Sequence, residues 1–219
     1  MLLKLVQAYV EGADEDGLIV FLDMEKAFDR CSWEYMHEAL TRLGLDQNFV
    51  NYIKLFYSHD NPPTRKLLIS GHLGPKFPLH SGVAQGCPAS PPLFLVIAEA
   101  LTRLIMNDPH ITGIVINGHN HKLSQYADDT SLLAKGFADW KRMAAHLRTW
   151  CDATAMKENM TKREGMLLAK LNRERERAPK GIIPNDAWAE DGTSIRALGV
   201  PMGNKLDIGA WWDSYSIVQ

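Results

Sequence analysis

The sequence predicts an α/β protein of the α+β kind, an antiparallel sheet backed by helices. Three observations carry that expectation. Leu18-Ile19-Val20-Phe21-Leu22 is an unbroken run of branched and aromatic residues, as a strand covered on both faces requires. Strand-like Lys122–Gln125 and Thr130–Ala134 flank Tyr126-Ala127-Asp128-Asp129, the layout of a β-hairpin with two acids at its tip. Apolar residues recur with helical period in the segments around them.

In chain order, Leu2, Leu3, Leu5, Val6 and Val10 mark a first helix, and 12–17 is an acidic turn into the buried strand, which ends at Asp23. Ser32, Trp33, Tyr35, Met36, Ala39, Leu40, Leu43 and Gly44 read as an N-cap, an apolar face and a glycine stop. Asp46 opens a second helix through Phe49, Ile53, Phe56 and Tyr57, which Asn61-Pro62-Pro63 breaks. Lys66–Ser70 reads as a short strand in a long passage punctuated by glycine and proline up to Pro88, and loops of that length are usually functional. Leu93–Met106 and Phe137–Thr154 are helices, Ile111–Ile116, Gly165–Ala169 and Ile195–Val200 are strands, and 171–192 is a loose polar excursion.

With 46 % apolar residues among 219, the chain can bury a sizeable core. Its net charge of −2 lacks the basic excess usual for an enzyme that handles nucleic acid unaided. The charge is unevenly placed. Between Glu11 and Asp29 seven acids face Lys26 alone, whereas between Lys157 and Lys180 eight bases face four acids; the basic stretch is either a solvated surface or a track for an anionic partner. Cys31, Cys87 and Cys151 show no paired spacing, so neither a disulfide framework nor a zinc site is indicated. The chain opens without a signal-like segment, and 93–106, broken by Glu99 and Arg103, is too short and too charged to span a bilayer. An intracellular protein, in nucleus or cytoplasm and not secreted, is expected.

The chemistry follows from where strands deliver carboxylates. Asp23 ends one strand, and Asp128 with Asp129 sits at a hairpin tip. If the two strands are neighbours in one antiparallel sheet, three acids converge, and such a cluster repels itself unless it holds a cation. Magnesium takes a few carboxylates plus substrate phosphates, and two such ions about 4 Å apart drive phosphoryl transfer. Alone, an acidic hairpin tip such as Asp128-Asp129 is more often a solvated turn.

Three segments in order, Phe21-Leu22-Asp23-Met24-Glu25-Lys26-Ala27-Phe28-Asp29-Arg30, Gly82-Val83-Ala84-Gln85-Gly86-Cys87-Pro88-Ala89-Ser90-Pro91 and Tyr126-Ala127-Asp128-Asp129, resemble the central palm motifs of reverse transcriptases. The variety they resemble is that of non-long-terminal-repeat (LINE-type) retrotransposons. Lys157–Glu164 resembles that family's lysine-bearing motif, and Ala197–Gly203 its primer-grip strand. The resemblance implies a polymerase palm over 1–203, with 204–219 a short tail or the start of a lost thumb. The family's fingers motifs would lie before Met1, so fingers are expected to be truncated, a thumb short or absent, and activity of the isolated chain low.

Residue by residue, the resemblance makes Asp23, Asp128 and Asp129 the catalytic carboxylates and metal ligands, for two Mg2+ ions with Mn2+ as a possible substitute. Lys162 matches a lysine that protonates the leaving pyrophosphate, or is an exposed lysine. Phe28 matches the bulky residue under the sugar that selects deoxynucleotides, or is a core aromatic, and Ala27 beside it is placed in the same substrate site. Gln85 and Gly86 match the loop that meets incoming nucleotide and template, and Ser90-Pro91 would open the next helix. Tyr126 lies against primer or template, or packs in the core. Ala84 departs from the family, which often has a basic residue there. The implied partners are an RNA template, a DNA primer, deoxynucleoside triphosphates and the missing segments of a longer polyprotein, with no membrane. The rival readings are a catalytically silent palm remnant that at most binds nucleic acid, and an RNA-templated RNA polymerase, against which Phe28 and the Gln85 loop argue.

Overall fold

The computed structural model describes residues 2–197 and 200–207. Leu198 and Gly199 of the expected primer-grip strand, the side chain of Arg196, and residues 208–219 lie outside that description. In order the elements are α1 (Leu2–Ala13), β1 (Asp16–Leu22), α2 (Ala27–Arg30), α3 (Trp33–Arg42), α4 (Gln47–Phe56), β2 (Thr64–Arg65), β3 (Leu68–Ile69), β4 (His72–Leu73), β5 (Phe77–Pro78), α5 (Ser90–Met106), β6 (Ile114–Ile116), β7 (His119–His121), β8 (Leu123–Tyr126), β9 (Asp129–Ala134), α6 (Phe137–Thr154), β10 (Glu164–Leu168), α7 (Ala169–Arg173), β11 (Ile195–Ala197) and β12 (Val200–Met202). The chain divides into two compact units. One comprises Met1–Asp23, Leu104–His146 and Glu158–Gln219, the other Met24–Arg103 and Leu147–Lys157.

The first unit is built on an antiparallel sheet of order β10-β1-β9-β8. As its unbroken apolar run requires, β1 is central: Leu18, Ile19 and Val20 are fully buried. On one face, Leu3, Val6 and Val10 of α1 join Ile19, Leu133, Met166 and Leu168 in one core cluster, each such side chain contributing about 1.5–3 kcal/mol by leaving water. β6 and β7 form a separate hairpin whose turn, Asn117-Gly118, has both residues at positive φ, the twist-matched two-residue turn. The expected strand Ile111–Ile116 is therefore shorter, and the expected strand from Lys122 is preceded by one not anticipated. Lys122 itself is buried and donates to the carbonyls of Ile105, Met106 and Asp108, closing the C-terminal end of α5.

The expected strand Ile195–Val200 is two paired strands, Ile195 opposite Met202 and Ala197 opposite Val200. The polar excursion after Leu171 is anchored rather than loose. Ile182, Ile183 and Trp188 are buried, and a Cβ on Gly165 would come within 2.6 Å of Ile183 and 2.8 Å of Trp188. Gly165 thus lets this segment lie directly on β10, where Ala189 N–H donates to its carbonyl.

In the second unit the helix signals hold. Ser32 caps α3 by accepting from Tyr35 N–H, and Asp46 caps α4 by accepting from Asn48 N–H. The glycine- and proline-rich passage is two small exposed ladders, β2 with β5 and β3 with β4, where one strand over Lys66–Ser70 is expected. Ser90 and Pro91 open α5 as anticipated, the Ser90 hydroxyl donating to Ala84 O.

Candidate active site

Sheet register brings the acids of the first unit together. β1 pairs with β9 so that Leu22 faces Thr130; one further step in an antiparallel ladder sets Asp23 opposite Asp129. Asp129 also pairs with Tyr126 across the two-residue turn Ala127-Asp128. Ala127 holds φ +53°, a left-handed conformation costly for a residue with a Cβ, so the tip that presents Asp128 is strained. Tyr126 is 70 % exposed and does not pack in the core.

Asp23, Asp129 and Lys162 share an open cleft of about 440 Å³ with Thr161 and Glu164. The Asp129 carboxyl is raised above the usual carboxylate range, first by partial burial and then by the negative charges of Asp128 and Asp23. Lys162 Nζ lies 3.3 Å from Asp23 Oδ2, and Asn159 N–H donates to the Asp23 carbonyl at 2.8 Å, fixing the lysine-bearing segment beside the strand end. Among the described residues no three His, Cys, Asp or Glu side chains are gathered closely enough to cage a metal by themselves. The chemistry of the donor set still suits a hard cation: carboxylate oxygens in mutual repulsion on an open cleft, with room for water and phosphate oxygens.

The second unit holds the other residues singled out from sequence. Lys26 takes φ +50° at the start of α2. Ala27 is buried, 4 % exposed, and its carbonyl accepts from Cys31 Sγ. Phe28 is half-buried and its ring stacks on Phe94, centroids 4.9 Å apart. Gln85 and Gly86 are exposed, Gly86 at φ +84°. With Asp29, Arg65, Lys66, Phe77 and His80, Gln85 lines a groove of about 680 Å³.

Phe94, Arg65 and Lys66 were not singled out by sequence reasoning. A signal for the two bases exists: no Asp or Glu occurs anywhere between 61 and 98. Phe94 sits in an apolar helix where nothing distinguishes it from its neighbours.

The family described as Reverse transcriptase (RNA-dependent DNA polymerase) matches residues 4–202. Similar curated proteins include the Transposon TX1 uncharacterized 149 kDa protein of Xenopus laevis, 30 % identical over 152 residues, 68 % of this chain and 11 % of that protein. A Retrovirus-related Pol polyprotein from the type-1 retrotransposable element R2 of Popillia japonica is 35 % identical over 115 residues, 52 % of this chain and 16 % of its own length. The chain therefore spans between a tenth and a sixth of these two relatives. Among solved structures, apo telomerase from Candida tropicalis, truncated from its C-terminal domain, matches with a TM-score of 0.58 at 10 % identity, over 92 % of this chain and 37 % of that one. That likeness concerns the fold, a mixed polymerase palm. The chain belongs to the reverse transcriptase family and, within it, to the LINE-type retrotransposon enzymes.

Proposed function

We propose that the chain is the palm of an RNA-directed DNA polymerase, extending a DNA primer on an RNA template by two-metal nucleotidyl transfer. The observation that carries this reading is the meeting of Asp23 and Asp129 in one cleft, with Asp128 close enough to raise the Asp129 carboxyl. Asp23, Asp128 and Asp129 would hold two Mg2+ ions, or Mn2+, together with the triphosphate. Bound there, such ions would supply the charge that activates the primer 3′-hydroxyl and steadies the leaving pyrophosphate.

The side chains of the chain itself position and neutralise. Lys162, now paired with Asp23, exchanges that carboxylate for a phosphate oxygen when the nucleotide arrives and stands ready to give a proton to pyrophosphate. Phe28 lies under the sugar and excludes a 2′-hydroxyl, and the exposed Gln85 and Gly86 meet nucleotide and template. Tyr126, standing out from the hairpin tip, offers a ring to primer or template. Its partners are accordingly an RNA template, a DNA primer and deoxynucleoside triphosphates.

The test is primer extension by Met1–Gln219 on an RNA template with a DNA primer and Mg2+ or Mn2+, beside an Asp128→Asn control. Template-dependent synthesis above the control, however slow, supports the polymerase. A rate equal to that of the control, with nucleic acid still bound, favours the silent palm remnant.

A further inference from the structure

We propose that Phe94 is a positioning residue for nucleotide selection, acting through Phe28; the inference rests on the polymerase reading above. The two rings lie 4.9 Å apart and within 19° of parallel, a stacked geometry favourable for aromatic pairs. Phe94 is 1 % exposed, so its own ring is locked in the α5 core and cannot reach a substrate. Phe28 is half-buried, one face on Phe94.

The main chain around Phe28 is fixed independently of the ring. The Phe28 carbonyl accepts from Val83 N–H at 2.7 Å, the Cys31 carbonyl from Gly82 N–H at 2.9 Å, and the Asp29 carbonyl from the Ser81 hydroxyl at 2.9 Å. With the backbone held, the freedom left to Phe28 is rotation of its side chain. A ring that excludes a single hydroxyl must not step back when the hydroxyl pushes on it. A close-packed aromatic neighbour prevents that retreat, since interiors yield little to local pressure. Phe94 is the neighbour stacked on it, so the strictness of selection against ribonucleotides is set at Phe94 as well as at Phe28.

The measurement compares dGTP with GTP incorporation by the unaltered chain, Phe94→Leu and Phe94→Tyr on an RNA template with a DNA primer. Phe94→Leu raises the ribonucleotide-to-deoxyribonucleotide ratio roughly tenfold, the scale on which one loosened contact alters selectivity, chiefly by lowering the KM for GTP. Phe94→Tyr, which keeps a ring, returns the ratio toward the unaltered value. An unchanged ratio in Phe94→Leu overturns the proposal. A second readout needs no synthesis. In chain labelled with 4-fluorophenylalanine, the fluorine line assigned to Phe28 by its loss in Phe28→Leu moves to that of a free, mobile ring in Phe94→Leu. An unmoved line overturns the proposal whatever the activity of the chain. Lack of synthesis by the unaltered chain tells against the polymerase reading alone, and the fluorine line then decides the placement of Phe28.

Discussion

Val83 N–H donates to the carbonyl of Phe28 across 2.7 Å, joining the glycine-rich loop to the turn that carries the Phe28 ring. The two motifs, separated by half a hundred residues in sequence, are held as one piece within the second unit. Trp33 reinforces the joint, its indole N–H reaching Gly82 O at 2.8 Å.

Gly82 is the residue on which this joint turns. It has φ +85°, and a Cβ there would lie 2.7 Å from both Cα and O of Asp29, main-chain atoms that cannot swing aside. Gly82→Ala is therefore expected to cost about 3 kcal/mol, combining backbone strain with a steric clash. Gly86→Ala provides the contrast: φ is +84° but nothing lies within 4 Å, so only strain of about 1 kcal/mol is expected. Chemical denaturation of the two variants checks the difference; equal losses would show that the loop does not press on Asp29.

Much of this arrangement is legible in the sequence because it follows from local chemistry. The unbroken apolar run of β1 implies a central strand, and the Ser32 and Asp46 caps are visible as N-cap residues ahead of apolar periods. The Asn117-Gly118 turn was equally legible, being a strong short-range hairpin signal, but the flanking Ile116 and His119 do not alternate enough to draw notice. Other features depend on contacts between residues distant in sequence. Nothing around Gly165 announces that Trp188 lies on it, and nothing in the apolar run 93–106 distinguishes Phe94 as the ring under Phe28. At the acids, sequence marks Asp23 and Asp129 as strand-end carboxylates but not that Lys162 pairs with Asp23, because that ion pair depends on where the turn after Asn159 places a long flexible side chain.

Asp108 makes a pH prediction for the first unit. Its buried carboxylate is held well below the usual carboxylate range, first by His146 and then by Arg142 and the N–H of His110. A carboxyl whose folded pKa is depressed adds stability above its unfolded value near 3.9 and loses it as pH falls through the folded value. Acid unfolding is thus expected to steepen below about pH 4. In Asp108→Asn that component disappears, and the unaltered protein and the variant converge in stability at the acid end. Stability curves against pH that stay parallel would remove Asp108 from this role.

Cys31 makes a reactivity prediction. Burial pushes its thiol up to about 12, and its side chain is enclosed in the α2 turn. Because the thiolate is the reactive form, a disulfide reagent at pH 8 is expected to leave Cys31 untouched in the folded chain and to modify it on unfolding. Mass mapping of the modified peptide checks this, and rapid labelling of Cys31 under native conditions would show the turn to be open.

Lys162 provides a prediction in which one substitution moves two measurements in opposite directions. Its ammonium lies 3.3 Å from Asp23, but the lysine side chain is mostly exposed, so the pair adds little to stability. Its consequence is competition: a divalent ion approaching Asp23 must displace a positive charge already there. Lys162→Ala removes that competitor, and Mn2+ binding, followed by water proton relaxation, is expected to tighten severalfold, on the scale of one lost surface charge contact. On the proposed function, primer extension by the same variant is expected to fall by about a hundredfold, since charge and a proton donor would be lost where pyrophosphate leaves. A lysine that is merely exposed would change neither quantity. A loss of synthesis with unchanged Mn2+ affinity would place Lys162 on the nucleotide but not on Asp23, and tighter Mn2+ with undiminished synthesis would reduce it to a resting counter-ion.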